Sequence, residues 1–104
     1  MKYQLVLQFP GDLLSDAGGP KALEEELIKT LGDDVYVDGY DLGVDETSLF
    51  IFTPDPLATF ARASKVLERW DLLDSVAAAH RATETECYTV IWPQDCHRAF
   101  RLGA

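Results

Sequence analysis

Residues 48–70 read SLFIFTPDPLATFARASKVLERW, and the period of the apolar positions changes in the middle of that stretch. Before Thr53, Phe50 and Phe52 alternate with Leu49 and Ile51, the two-residue repeat of a strand. After Thr53-Pro54-Asp55-Pro56, the residues Leu57, Phe60, Ala61, Ser64, Val66 and Leu67 recur at helical spacing. Asp55 is placed to cap that helix, and Pro56 suits its first position, where no amide hydrogen is needed. The spacing therefore predicts a strand over 48–53 running into a helix over 55–70.

Working outward, Val35 to Tyr40 forms a second strand-like run, joined to the first by the polar segment Asp41 to Thr47, so the two read as a hairpin with an acidic tip. Alternation there puts Val35 and Val37 on one face and Tyr36, Asp38 and Tyr40 on the other. Upstream, Pro20 to Leu31 carries Leu23, Leu27, Ile28 and Leu31 as a helical stripe, with Glu24, Glu25 and Lys29 on its wet side and Gly32 as its stop. At the start, Tyr3, Leu5, Leu7 and Phe9 alternate with Lys2, Gln4, Val6 and Gln8, and the first set is expected to face the helices. Downstream, VAAAHRA at 76–82 and CYTVIWP at 87–93 read as two more strands. The order β-α-β-β-α-β-β predicts a single α+β domain over residues 1–104. Its expected fold is a two-layer sandwich, ferredoxin-like βαββαβ with an extra C-terminal strand, in order 4-1-3-2 with the fifth at an edge or folded over.

The 104 residues suffice for a core without a disulfide or metal, and 47% apolar with 26% charged residues is the balance of a globular chain. No apolar run approaches a membrane span, and MKYQLVLQFPGDL lacks the layout of a signal peptide, so a cytoplasmic protein is expected. Net charge is −9, unevenly placed. Residues 1–52 hold eleven acids against three lysines, whereas residues 53–104 hold seven acids against six bases. Nine carboxylates lie from Glu24 to Glu46 with Lys29 as the one base among them. Such a field repels nucleic acid and anionic lipid and steers toward basic partners, with solubility as its simplest alternative role.

Motifs with chemistry are missing. The chain has no P-loop, GxGxxG or GxSxG. Aromatic Phe50 and Phe52 on a third strand resemble the base-stacking pair of RNA recognition motifs, but Asp45-Glu46-Thr47-Ser48 precede them where a base and a glycine are wanted. Asp38, Asp41, Asp45 and Glu46 lack the spacing of a calcium loop, and Cys87, Cys96, His80 and His97 lack that of a zinc site. Ser75, His80 and Asp74 form no recognisable triad. The expectation is no enzyme, no cofactor and no metal.

The pieces YQLVLQFPG (3–11), VDGYDLG (37–43), LFIFTPDP (49–56) and YTVIWP (88–93) resemble a family of small acidic bacterial proteins with no assigned activity. The resemblance covers most of the chain and implies a bacterial, cytoplasmic, single-domain protein. It brings no site residues with it.

Two roles follow from the residues. One is a non-catalytic protein-binding domain, like an immunity or antitoxin-type inhibitor, meeting a basic protein partner through Tyr36, Asp38, Tyr40, Asp41, Asp45 and Glu46. The other starts from the sheet face opposite the helices, too apolar to stay bare, with Phe50, Phe52, Tyr88 and Trp92 on it. A homodimer, a small-molecule ligand or the returning C-terminal segment would each cover that face. The tail from Asp95 to Ala104, with Cys96, His97, Arg98 and Arg101, is the one locally basic stretch and is expected to pair with the acidic half in cis or in a dimer.

Overall fold

The computed structural model describes residues 2–10, 19–42, 46–85 and 87–92. In chain order its elements are β1 (Tyr3–Pro10), α1 (Pro20–Leu31), β2 (Tyr36–Leu42), β3 (Glu46–Thr53), α2 (Pro56–Arg69), β4 (Ala77–Ala82) and β5 (Thr89–Trp92). The strands form one sheet in the order β2-β3-β1-β4-β5, with every neighbouring pair antiparallel. Each helical connection therefore steps over one strand: α1 links β1 to β2 across β3, and α2 links β3 to β4 across β1. The protein is an α+β fold with the helices as one layer and the sheet as the other. Among the described residues no helix is long and apolar enough to cross a membrane.

The core forms where alternation predicts it on the inner strands. Leu5, Leu7 and Phe9 of β1 lie opposite Ile51, Leu49 and Thr47 of β3, and these apolar side chains meet Leu23, Leu27 and Leu31 of α1 and Ala63, Val66 and Leu67 of α2. On α1 the buried stripe narrows to the i, i+4 row, and Ile28, expected inside, is 51% exposed. The inner face of α2 is turned from the expected one. Thr59, Ala63, Val66 and Leu67 are buried, whereas Leu57 is 60% exposed and Ala61 is exposed. Two interactions set that phase. Asp55 Oδ1 accepts from the Ala58 amide at 3.1 Å, and the Thr59 hydroxyl sits 2.6 Å from that of Thr53, so a threonine can go inside because its polar atom is matched there. Gly32 ends α1 at φ 86°, a left-handed value that favours glycine.

Two bulges break the alternation at the sheet edges. Val37 lies opposite Ile51, but the next pair is Gly39 with Phe50, so Asp38 is an extra residue in β2. Beyond it every side chain changes face: Tyr36 is in register with Phe52 on the face away from the helices, and Tyr40 is in register with Leu49 on the helix face. The expectation that Tyr36 and Tyr40 share a face is thereby corrected. On β5, Val90 pairs with Ala79 and Trp92 with Ala78, which makes Ile91 the extra residue there.

Two substitutions test this account by urea unfolding. Removing the cap with Asp55→Ala should lower stability by about 1 kcal/mol, and an unchanged midpoint would show that the helix start is set elsewhere. Gly39 has φ 135°, outside the range of ordinary L-residues. A β-carbon there would meet Glu24 Oε2 at 3.7 Å, an ordinary contact, so Gly39→Ala should cost roughly 1–3 kcal/mol through backbone strain alone. Wild-type stability in that variant would contradict the bulge conformation.

Candidate functional site

Two surfaces carry the candidate residues, and the first is the flank formed by α1 and edge strand β2. Arginines of α2 reach toward α1 from the other side: Arg62 donates to the Leu31 carbonyl at 3.0 Å and lies 3.4 Å from Asp34, and Arg69 lies 3.2 Å from Glu26. Both ion pairs are solvent-exposed and add little stability. They do engage two of the acids. Glu24, Glu25, Asp33, Asp38 and Asp41 have no basic partner among the described residues. Among these acids stand Tyr36 at 55% exposure, Tyr40 at 39% and Ile28 at 51%, three of the four large apolar side chains that are exposed among the described residues. Ile28 is one turn along α1 from Glu24, whose carboxylate lies over Gly39 of β2, so apolar and acidic groups share one edge. Glu46 stands apart from them, half-buried opposite Pro10, and its Oε1 is shielded with no hydrogen-bond partner among the described residues. Asp45 lies outside the described residues, as do Cys96, His97, Arg98 and Arg101.

The second surface is the sheet face away from the helices, which register arranges in rows. One row runs Tyr36, Phe52, Gln4 and Arg81; the next runs Phe50, Val6, Ala79 and Val90; a third runs Asp41, Ser48, Gln8 and Ala77. Tyr36 and Phe52 stack with ring centroids 6.4 Å apart and planes 16° from parallel. At the other end of that row Gln4 Oε1 accepts from Arg81 Nε at 2.9 Å and from the Tyr88 hydroxyl at 3.1 Å, and Arg81 lies 5.8 Å from the Tyr88 ring centre. The Nη1 of Arg81 donates to the carbonyls of Ala82, Thr83 and Thr85, at 3.3, 3.2 and 2.7 Å. A recess of about 450 Å³ beside it is lined by Arg81, Thr83, Glu84, Thr85 and Tyr88. With Nε and Nη1 both engaged by the protein, Arg81 acts as a clamp on the β4–β5 turn.

Register brings Phe50 and Phe52 together on this face, with Tyr88 reaching Gln4 at its end, but it removes Trp92. The extra residue Ile91 turns Trp92 to the helix side, where its indole N–H donates to the Leu73 carbonyl at 2.9 Å and its ring lies 6.1 Å from that of Phe60. The expected grouping of Trp92 with the other three is corrected on that ground. Pattern does not single out Gln4 and Arg81 as site residues, and it places Ile28 in the core stripe instead. A glutamine facing outward from a strand and a lone arginine between His80 and Ala82 are ordinary locally, and only their pairing across 77 residues distinguishes them.

Reactive groupings are not assembled among the described residues. No set of three or more His, Cys, Asp or Glu is placed to hold a metal ion there. His80 stands on the helix face opposite Leu5, edge-on to Tyr3 at 6.1 Å, and its buried Nδ1 has no hydrogen-bond partner among the described residues, while Ser75 and Asp74 are exposed. Cys87 is an exposed free thiol. No protein-family model matches the chain, and comparison with curated proteins and with solved structures returns no significant match.

Proposed function

We propose that the protein is a non-catalytic binding domain of the bacterial cytoplasm that offers the α1–β2 edge to a basic protein, as an immunity or antitoxin-type inhibitor does. One observation carries the reading: acids with no basic partner among the described residues and exposed aromatic or aliphatic side chains coincide along β2 and the neighbouring α1, with Tyr40 on the helix side of the strand and Tyr36 and Asp41 on its other face. Glu24, Glu25, Asp38 and Asp41 supply charge that no base among the described residues compensates, and Tyr36, Tyr40 and Ile28 supply apolar area beside them. Charge of one sign speeds the encounter with an oppositely charged partner, and buried aromatic rings then contribute most of the holding energy. A purely solubilising surface needs the acids but gains nothing from exposing the tyrosines. The strand order, with β5 added beside β4, supports assignment of the fold to the ferredoxin-like βαββαβ class with an extra C-terminal strand.

A second reading draws on the stacked pair Tyr36 and Phe52 with neighbouring Phe50: a small-molecule-binding or regulatory domain, dimeric through the open sheet face. On that face Val6 and Ala79 are buried and Phe50, Phe52 and Val90 are half-buried, so a flat ligand or a second copy would meet the latter three and the exposed Tyr36.

The readings separate in one series of measurements. Protein recovered from its host at low salt should bring with it a basic protein that high salt removes. Asp38→Lys combined with Asp41→Lys should slow association with that protein about tenfold or more at low salt, with the circular dichroism spectrum unchanged. Equal association rates would overturn the acidic-edge reading. A raised melting temperature with a metabolite, or a protein that sediments as a dimer until Phe50→Ser or Phe52→Ser is introduced, would favour the second reading instead.

A further inference from the structure

We infer that the basic partner is received as an added strand: an extended segment carrying lysine or arginine pairs with the free edge of β2 and lengthens the sheet to six strands. The inference rests on the acidic-edge reading above and specifies how that edge is used. β2 pairs with β3 on one side, and no described strand lies on its other side, where a row of backbone N–H and C=O groups faces out. Asp38, Tyr40 and Asp41 on this strand are all exposed, so the edge is open to an incoming chain.

The bulge at Asp38 makes the edge suitable for a strand in particular. Because the extra residue reverses the alternation, Tyr36 lies on the open face beside Phe52 and Tyr40 on the helix face in register with Leu49. A strand laid along β2 would therefore meet an exposed tyrosine on each of its faces, and cross-strand aromatic contacts of that kind stabilise pairing. An unbulged strand would have put both rings on one face.

Charge selects the occupant. If two copies of the protein joined antiparallel through β2, the symmetry axis near Gly39 and Tyr40 would set Asp38 and Asp41 against the same acids of the other copy, in a chain already at −9. Like charges opposite one another oppose pairing, whereas a lysine or arginine at the same place favours it. The other edge lacks these features. β5 spans four residues, Thr89–Trp92, carries no acid and is followed in sequence by Pro93, which has no amide hydrogen to offer.

The probe is a capped octapeptide of alternating lysine and valine, added to the full-length protein, with a second peptide of the same sequence N-methylated at every residue. The two carry equal charge, but only the first can donate backbone hydrogen bonds. Strand addition predicts that the first binds at least tenfold tighter and slows hydrogen exchange of alternate amides between Tyr36 and Leu42. Equal affinities, unchanged exchange over β2 or no binding at millimolar peptide would overturn it. The Asp38→Lys, Asp41→Lys variant separates the two levels of the argument. If it loses both peptides while the wild type binds them equally well, the acidic edge stands and strand addition falls. If it binds the first peptide as well as the wild type does, both fall together.

Discussion

Everything in this fold is placed relative to β1, a strand buried on both faces and paired on both edges. Leu5 and Leu7 pack under the helices, Val6 between them faces the other way, and all three are inaccessible to solvent. β3 and β4 take their registers from this strand, α2 packs over it, and β2 and β5 are reached only through those neighbours. Because the repeat along a strand is two, a one-residue slip of β1 would drive Gln4 and Gln8 into the helix-side core, where neither amide has the matched partner that Gln4 finds on the outer face. The fully buried run Leu5-Val6-Leu7 between those glutamines therefore fixes the register of the whole sheet.

Constraint weakens outward from that strand, and departures from simple alternation collect where it is weakest. Both bulges, at Asp38 and Ile91, are on edge strands. An edge strand can absorb an extra residue because only one neighbour has to tolerate it, whereas β1 would have to distort β3 and β4 together. The same looseness frees β2 to display side chains on both faces, which places the exposed tyrosines there. Among the described residues, the acid beside them is what remains after Arg62 and Arg69 have taken up Asp34 and Glu26 between the helices.

How far the sequence is readable follows the same gradient. Alternation in Tyr3 to Phe9 and the Asp55-Pro56 cap identify the central strand and the start of α2, because both signals are local and strong. The inner face of α2 was harder to read, since Thr59 goes inside for the sake of one hydroxyl partner at Thr53 while the apolar Leu57 stays out. Gly39 within a strand pattern is a readable hint of a bulge. Ile91 gives none, so Trp92 changes face without warning. On the candidate surfaces, the acidic run is plain from composition. Which acids find a base among the described residues is not, since it depends on arginines 28 and 43 residues away.

The anchoring of Trp92 also determines what the protein's own fluorescence can report. Trp92 is tied to the Leu73 carbonyl and packs with its ring tilted against that of Phe60, and Trp70 closes α2 and packs against the same helix-side core. The chain has no other tryptophan. Indole emission will therefore follow the packing of α2 against the sheet and respond weakly to events at β2, where the chromophores are Tyr36 and Tyr40. A titration at the acidic edge could run to saturation with little change in emission, and an optical signal for binding there must come from the tyrosines or from a tryptophan introduced into β2.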